Sequence, residues 1–326
     1  MNTNRKFRFW IITRNIVLLI IALILIWVVF HHTMKAYEQK KYPPIGQLVE
    51  VDGKNMHVYT KGDGENTIVL LSGLGTSAPV LDFEPLINKL AKKNKVVVVE
   101  SFGYGWSDIT HKERTVENIV EEIRLALQKA NISGPYILMP HSTSGIYSMY
   151  YANKYPDEVK AIIGIDPTLP KALEYFGESA PTTPSFMSLV APTGVVRLVS
   201  NINPDDFLPI ANEGTYSDDN LKMTKAISAW KVSNKNIVAE TNEIESNVDQ
   251  TIDMSFPSEI PVMVFAKKVD KNPIDGKTNI TFYQNQISDN PSNKLVVLEG
   301  HHYLHWTRYN EMNESVNDFI DTSVNF

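Results

Sequence analysis

The sequence predicts an α/β protein with a mostly parallel, eight-stranded sheet and helices on both of its faces. Two observations predict this fold class. From about residue 47, short and uniformly apolar runs alternate with helical patterns, as expected for strands that are buried on both sides. In addition, 326 residues with 43% hydrophobic content are enough to form a sizeable core.

The first element is an apolar run near the N-terminus. Residues 16–30 are unbroken apolar sequence, and residues 15–34 carry no formal charge if both histidines are neutral. About 20 apolar residues span a bilayer, so we expect a membrane anchor in residues 1–41 with its span at about 15–34. A cleaved signal peptide is the alternative, but the following sequence, HHTMKAYEQ, offers no small-x-small cleavage site.

Charge divides the chain at the same point. Residues 1–41 hold seven Lys/Arg against one Glu, whereas the remainder holds 24 Lys/Arg against 36 Asp/Glu. Basic residues on the N-terminal side of the span predict a cytoplasmic N-terminus and an extracytoplasmic main domain, hence a single-pass protein of the cell membrane. The acidic remainder gives no indication of a nucleic-acid partner. The absence of cysteine excludes disulfides, Cys-ligated zinc and a cysteine nucleophile.

The main domain, residues 42–326, begins with a predicted hairpin at Asp52-Gly53. Buried strands are then predicted at residues 67–73, 95–100, 135–139 and 160–166, with helices at 85–93, 115–130 and 145–155 between them. A lid insertion is expected at about residues 168–257, where strand–helix order lapses. Two more strands, at 261–266 and 294–300, precede a closing helix near 311–322.

A candidate nucleophile follows the strand at 135–139, at the edge of the sheet where ligands bind in such folds. Pro140-His141-Ser142-Thr143-Ser144-Gly145 leads from that strand directly into a helix. A serine in such a tight turn has its hydroxyl exposed above the sheet. The usual Gly-x-Ser-x-Gly pattern is not met, because Pro140 and Ser144 replace its glycines, and serines also cap helices routinely.

Together with four other motifs in the same order, this turn resembles the alpha/beta-hydrolase family, in its lid-bearing esterase and peptidase-like branch. Ser72-Gly73-Leu74-Gly75 stands where the family has His-Gly-x-Gly. The turn at residues 100–107, ESFGYGWS, is similar to its Asp-x-x-Gly-x-Gly-x-Ser. The strand in PVMVFAKKVD and the loop EGHHYLH, residues 299–305, are similar to its acid and histidine regions. The resemblance extends from about residue 47 to the C-terminus.

The resemblance implies a catalytic triad. Ser142 would be the nucleophile and His302 the base, with His301 as the alternative one residue away. Asp270 would be the acid, giving the chain order Ser–Asp–His that this fold expects, with Asp166 at the end of the preceding strand as its rival.

The resemblance also implies an oxyanion hole made by the backbone N–H groups of Leu74 and Thr143. No cofactor is expected, because the glycine-rich turn lacks the third glycine of a dinucleotide fingerprint and no phosphate-binding loop is present. No metal is expected either, since HExxH is absent. A haloalkane dehalogenase would require aspartate in place of Ser142.

We therefore expect a membrane-anchored serine hydrolase that cleaves an ester or amide through an acyl-enzyme. A carboxylic-ester hydrolase is favoured, with an aminopeptidase or thioesterase as alternatives. The expected partners are a small-molecule substrate and the lipid bilayer. The sequence does not determine the oligomeric state. A non-catalytic receptor or scaffold that keeps the fold is the competing hypothesis, supported by the departures at Ser72, Pro140 and Ser144.

Overall fold

The computed structural model describes residues 3–269, 276–287 and 290–324. Within these ranges the chain forms one eight-stranded sheet in the order β1-β2-β4-β3-β5-β6-β7-β8. The strands are β1 (Gln47–Val51), β2 (Lys54–Lys61), β3 (Thr67–Leu71), β4 (Lys95–Glu100), β5 (Tyr136–Pro140), β6 (Val159–Ile165), β7 (Val262–Lys267) and β8 (Lys294–Leu298).

The described helices alternate with these strands as the apolar runs predict. They are α1 (Thr3–Lys41), α2 (Pro79–Asp82), α3 (Glu84–Leu90), α4 (Val116–Lys129), α5 (Ser144–Lys154), α6 (Ala172–Phe176), α7 (Val190–Thr193), α8 (Val195–Ile202), α9 (Asp218–Lys231), α10 (Lys235–Thr251), α11 (Asn279–Gln286) and α12 (Tyr309–Phe319). Short 3-10 turns lie at Pro156–Glu158, Ser185–Leu189, Pro204–Phe207 and Leu304–Trp306, and a π turn lies at Ile320–Val324.

The predicted mostly parallel sheet is confirmed. β1 and β2 pair antiparallel through the predicted turn at Asp52, and β2 also pairs antiparallel with β4. The six strands β3 to β8 are parallel to one another. The central strands are uniformly buried because helices cover both faces. One core cluster packs α4 and α5 against the sheet, and the other packs α3 and α12 against its opposite face.

The chain between β6 and β7, which we call the β6–β7 segment, is helical over much of its length. α9 covers the predicted helical stretch at 221–230, whereas α10 was not predicted individually. Its polar sequence conceals a buried side: Glu240 and Asn247 are both almost fully buried. Asn247 accepts a hydrogen bond from Val116 N at 2.7 Å and so fixes α10 to the start of α4.

α1 is the one described helix long and apolar enough to cross a membrane as a single unbroken element. Within Lys6–Lys41, an 18-residue window has a mean hydropathy of 2.6 and is unburied. Thirty-nine residues at 1.5 Å each give a rod of about 58 Å. Near its C-terminal end α1 contacts the rest of the described chain, where His31 and Glu38 are buried.

Candidate active site

Ser142 lies in a strained turn between β5 and α5, as the sequence predicts. Its φ of 51° is in the left-handed region, which costs a non-glycine residue free energy and persists only where the surroundings impose it. Those surroundings are backbone hydrogen bonds: Ser142 N donates to Ile165 O at 3.2 Å, and Thr168 N donates to Ser142 O at 2.8 Å. The turn is thus held against the end of β6, where Asp166 begins the β6–β7 segment.

His302 contacts a carboxylate at this same edge. Its Nδ1 lies 2.7 Å from Asp166 Oδ2, with the His302 side chain one-third exposed and that of Asp166 only 7% exposed. The ring of His302 is 4.8 Å, centre to centre, from that of His141, the neighbour of Ser142. The structure therefore brings together the loop after β8, the end of β6 and the turn after β5.

The second oxygen of Asp166 is held by other groups. Asp166 Oδ1 lies near three donors: the Tyr283 hydroxyl at 3.3 Å, and Asn279 Nδ2 and Lys267 N at 3.4 Å. The Tyr283 hydroxyl has one proton and is nearer to Pro167 O, at 2.8 Å, so its bond to Asp166 is the weaker of the two. Burial, together with the charge of Asp166, raises the pKa of Tyr283 well above its ordinary value, so the phenol stays protonated. Sequence reasoning missed Tyr283 and Asn279, because more than a hundred residues separate them from Asp166.

The predicted acid, Asp270, lies outside the described residues. The carboxylate that the structure describes against His302 is that of Asp166, the rival in the sequence analysis.

His301 is directed elsewhere. Its ring stacks on those of Tyr303 and Trp306, and its Nδ1 accepts a hydrogen bond from Tyr303 N at 3.3 Å. Partial burial and the neighbouring His302 lower the pKa of His301. Of the two histidines that the sequence offered, the structure thus places His302 beside Asp166.

The loop after β3 lies directly against Ser142. A Cβ on Gly73 would be 2.8 Å from Ser142 Cβ and 2.9 Å from His141 Nδ1, so only glycine permits this approach. Ser144 adds a link between the two loops, because its hydroxyl donates to Ser72 O at 2.5 Å. This contact explains a serine where the family pattern has glycine.

Two backbone N–H groups at this junction are available to a ligand. Among the described residues, neither Leu74 N nor Thr143 N donates to a protein acceptor. Leu74 follows Gly73, which packs against Ser142, and Thr143 follows Ser142 itself. Unused N–H groups at the start of a helix are suited to binding negative charge. The Ser142 hydroxyl also has no hydrogen-bond partner in the described chain, and such contacts commonly tighten only with substrate bound.

A buried carboxylate in the β6–β7 segment supports the loop after β3 through a tyrosine. Glu240 on α10 accepts hydrogen bonds from the hydroxyls of Tyr104 and Tyr147, both at 2.8 Å. The Tyr104 hydroxyl in turn lies 3.4 Å from Gly75 N. Burial raises the pKa of Glu240, and burial together with Glu240 keeps both tyrosines protonated by raising their pKa values.

Two cavities flank the site. One, of about 370 Å³, is lined by Asp166, His302 and apolar side chains that include Phe176 and Phe282. The other, of about 260 Å³, adjoins Gly75 and Tyr303 and is lined by residues 206–209 of the β6–β7 segment. The described residues contain no group of three or more His, Asp or Glu side chains arranged to hold a metal ion.

The alpha/beta hydrolase fold model matches residues 66–309, three quarters of the chain. The chain belongs to the alpha/beta hydrolase family. The match includes the turn with Ser142 and the loop with His302, and it agrees with the observed sheet order.

Relatives and solved structures agree with this assignment. The chain is 34% identical over 248 residues to the uncharacterized protein YbdG of Bacillus subtilis, covering 75% of each chain. It is 31% identical over 123 residues to the serine hydrolase BPHL of Mus musculus, but this covers 35% of the chain and 40% of that protein. Epoxide hydrolase VrEH1 from Vigna radiata superposes with a TM-score of 0.66 at 16% identity, covering 84% of this chain and 97% of that one. At that identity, the structural likeness shows the fold alone.

Proposed function

We propose that this protein is a membrane-anchored serine hydrolase that cleaves an ester or amide bond through an acyl-enzyme on Ser142. Two contacts support the proposal: Ser142, held at positive φ, donates its N–H to the carbonyl of Ile165, the residue before Asp166, and Asp166 binds His302 at 2.7 Å. A free serine hydroxyl is a weak nucleophile, and an adjacent base that is itself oriented by a third group activates it.

The roles follow from the atoms that are left free. His302 uses Nδ1 to bind Asp166, so its Nε2 takes the proton of Ser142 during attack and returns it to the leaving group. Asp166 fixes the tautomer and stabilises the imidazolium without itself taking the proton. The N–H groups of Leu74 and Thr143 stabilise the oxyanion, and water then releases the acyl group from Ser142.

We assign the acid to Asp166 because its carboxylate contacts His302 and is held on its other oxygen by Tyr283. Asp270 is retained as the alternative that experiment must separate. Asp166→Asn should lower kcat by about 10⁴-fold while Asp270→Asn leaves it nearly intact. The reverse result would transfer the role to Asp270.

α1 supplies the anchor in this proposal. The uncharged stretch at 15–34 is about 30 Å long as a helix, which equals the hydrocarbon thickness of a bilayer. The basic residues that precede it favour a cytoplasmic N-terminus and an extracytoplasmic hydrolase domain at the cell membrane. The β6–β7 segment would then act as a lid, since residues 206–209 line a cavity together with Gly75 of the loop after β3, and Glu240 binds Tyr104, whose hydroxyl lies 3.4 Å from Gly75 N.

An active-site-directed fluorophosphonate tests the chemistry. Full-length wild-type protein should become covalently labelled, and Ser142→Ala should not, whereas Ser144→Ala retains a labelled nucleophile. If folded wild type resists labelling, or if labelling survives in Ser142→Ala, the proposal fails. A non-catalytic receptor or scaffold would then be the better account.

Asp206 favours a second reaction for the same machinery. It lines the 260 Å³ cavity beside Gly75, where a carboxylate could hold the amino group of an aminoacyl substrate. We therefore propose to compare p-nitrophenyl esters and thioesters with aminoacyl anilides. A preference for the anilides that Asp206→Asn removes would identify an aminopeptidase. Ester turnover that is unaffected by this substitution would identify an esterase.

A further inference from the structure

Helix α8 exposes an apolar stripe. Val195, Leu198, Val199 and Ile202, at positions i, i+3, i+4 and i+7, are 45%, 48%, 38% and 70% exposed. The opposite side, with Val196, Arg197 and Ser200, is buried. A helix on the surface of a water-soluble domain normally places its apolar stripe against the core, so this stripe calls for another partner.

The apolar surface continues into the preceding turn. Phe186 and Leu189 are 67% and 60% exposed in the turn Ser185–Leu189, which α7 joins to α8. We call these six exposed side chains the apolar patch: Phe186, Leu189, Val195, Leu198, Val199 and Ile202. A group of exposed large apolar side chains on consecutive elements is typical of protein or membrane contacts.

The buried side of α8 is attached to α1. The two terminal nitrogens of the Arg197 guanidinium, Nη1 and Nη2, each donate to the Glu38 carboxylate at 2.6 Å, and Arg197 Nε donates to His31 Nδ1 at 3.2 Å. Trp230 on α9 adds a hydrogen bond to Glu38 at 2.8 Å. Gly194, between α7 and α8, lies so close to α1 that a Cβ there would be 2.5 Å from His31 Cγ.

These contacts determine the depth of α8 relative to a bilayer. His31 precedes Lys35, the first charged residue after the uncharged stretch, by four residues, or about 6 Å along the helix. If α1 spans the membrane, α8 lies at the boundary between acyl chains and headgroups. Helices that lie in this interface bury their apolar face by about 5–10 Å. Lys40 and Lys41, one to two turns further on, suit anionic headgroups.

We infer that the apolar patch inserts into the surface of the same bilayer that α1 spans, so that the β6–β7 segment is itself a membrane-binding element. The inference rests on the proposed anchoring by α1. The lipid surface is the occupant that fits, because the patch belongs to the helix that Arg197 and Glu38 clamp to the end of the span.

Single-cysteine labelling tests the inference, since the chain has no cysteine of its own. Full-length variants Leu198→Cys and Ile202→Cys would carry an environment-sensitive fluorophore and be reconstituted into phosphatidylcholine–phosphatidylglycerol vesicles with acyl-chain nitroxide lipids. Leu23→Cys, within the span, is the positive control. Asp157→Cys is the negative control, because Asp157 is exposed and precedes β6 at the opposite edge of the sheet from the β6–β7 segment.

The nitroxide lipids should quench the labels at 198 and 202 several-fold more strongly than the label at 157. If position 23 is quenched but 198 and 202 match 157, the patch does not enter the bilayer although the anchor stands. If position 23 is also unquenched, the anchor and the inference both fail. Blue-shifted but unquenched emission at 202, with energy transfer between labelled copies, would assign the patch to a second copy of the chain and overturn the inference.

Discussion

The loop after β8 supplies two histidine–aspartate pairs whose surroundings differ sharply. His302 binds Asp166 at 2.7 Å and is one-third exposed, whereas His305, three residues on, binds Asp82 at 2.6 Å and is fully buried. A short His–Asp contact therefore does not by itself identify a catalytic pair. The two pairs differ in whether a substrate can reach the second ring nitrogen of the histidine.

That second nitrogen is used differently in the two pairs. His302 holds its carboxylate through Nδ1, which leaves Nε2 without a protein partner among the described residues. His305 holds Asp82 through Nε2, and its Nδ1 is buried without a partner in the same described ranges. The ring of His305 packs 4.5 Å from that of Phe83, and Trp306 Nε1 donates to the other oxygen of Asp82 at 2.8 Å. This arrangement fastens the loop to α2.

The largest expected effect comes from replacing His302, the proposed base. His302→Gln should lower kcat by about 10⁶-fold if the triad acts as a unit, because no other imidazole contacts Asp166. His301→Gln is the matched control, since His301 stacks on Trp306 instead. Steady-state rates with a p-nitrophenyl ester measure both. A loss with His301→Gln but not with His302→Gln would reverse the assignment.

The next largest effect should distinguish the two His–Asp pairs, when the aspartate of each is replaced by asparagine. Asp166→Asn presents an amide NH₂ where His302 needs an acceptor, which favours the wrong tautomer, so kcat should fall by about 10⁴-fold with little change in stability. Asp82→Asn should leave kcat per folded molecule nearly unchanged. Both rates are measured on protein whose folded fraction is known, and equal losses in the two variants would erase the distinction.

A stability measurement sharpens the structural side of the comparison. In Asp82→Asn, either Trp306 Nε1 loses its acceptor or His305 moves its proton to Nδ1, which is buried without a partner in the described chain; either should cost about 1–3 kcal/mol of unfolding free energy. Denaturant unfolding of the full chain in detergent micelles would show this as a lower midpoint. An unchanged midpoint would mean that the pair does not fasten the loop.

The smallest effect concerns His141, whose ring lies between the two pairs, 4.8 Å from that of His302 and 5.1 Å from that of His305. Burial, with the neighbouring histidines, holds the pKa of His141 well below 6.5, so it is neutral in the fold. In the unfolded chain His141 binds a proton below about pH 6.5, whereas in the fold it does not. As the pH is lowered through this range, the free energy of unfolding should therefore decrease by up to about 1.4 kcal/mol per pH unit. His141→Gln should flatten that slope in urea titrations between about pH 7.5 and 5.5. An identical slope in this variant would contradict the assignment.

Local sequence was sufficient for most of the sheet. The apolar runs that became β3 to β8 are short, uniformly hydrophobic and bounded by turn residues, so their period and length identify them without tertiary information. α4 was equally clear because Thr115 caps it and accepts a hydrogen bond from Asn118 N. α10 was not identified individually, since its buried face is built from Glu240, Asn247 and other polar groups whose partners lie far away in sequence.

The candidate site divides in the same way. The strand–helix alternation, the serine turn and the histidine loop could be predicted from the amino-acid sequence, because each depends on residues that are neighbours along the chain. The carboxylate that contacts His302 and the packing of α8 against α1 through Arg197 and Glu38 became known from the folded structure. Both contacts join residues more than a hundred positions apart, and the packing of whole elements, which no local pattern specifies, brings them together.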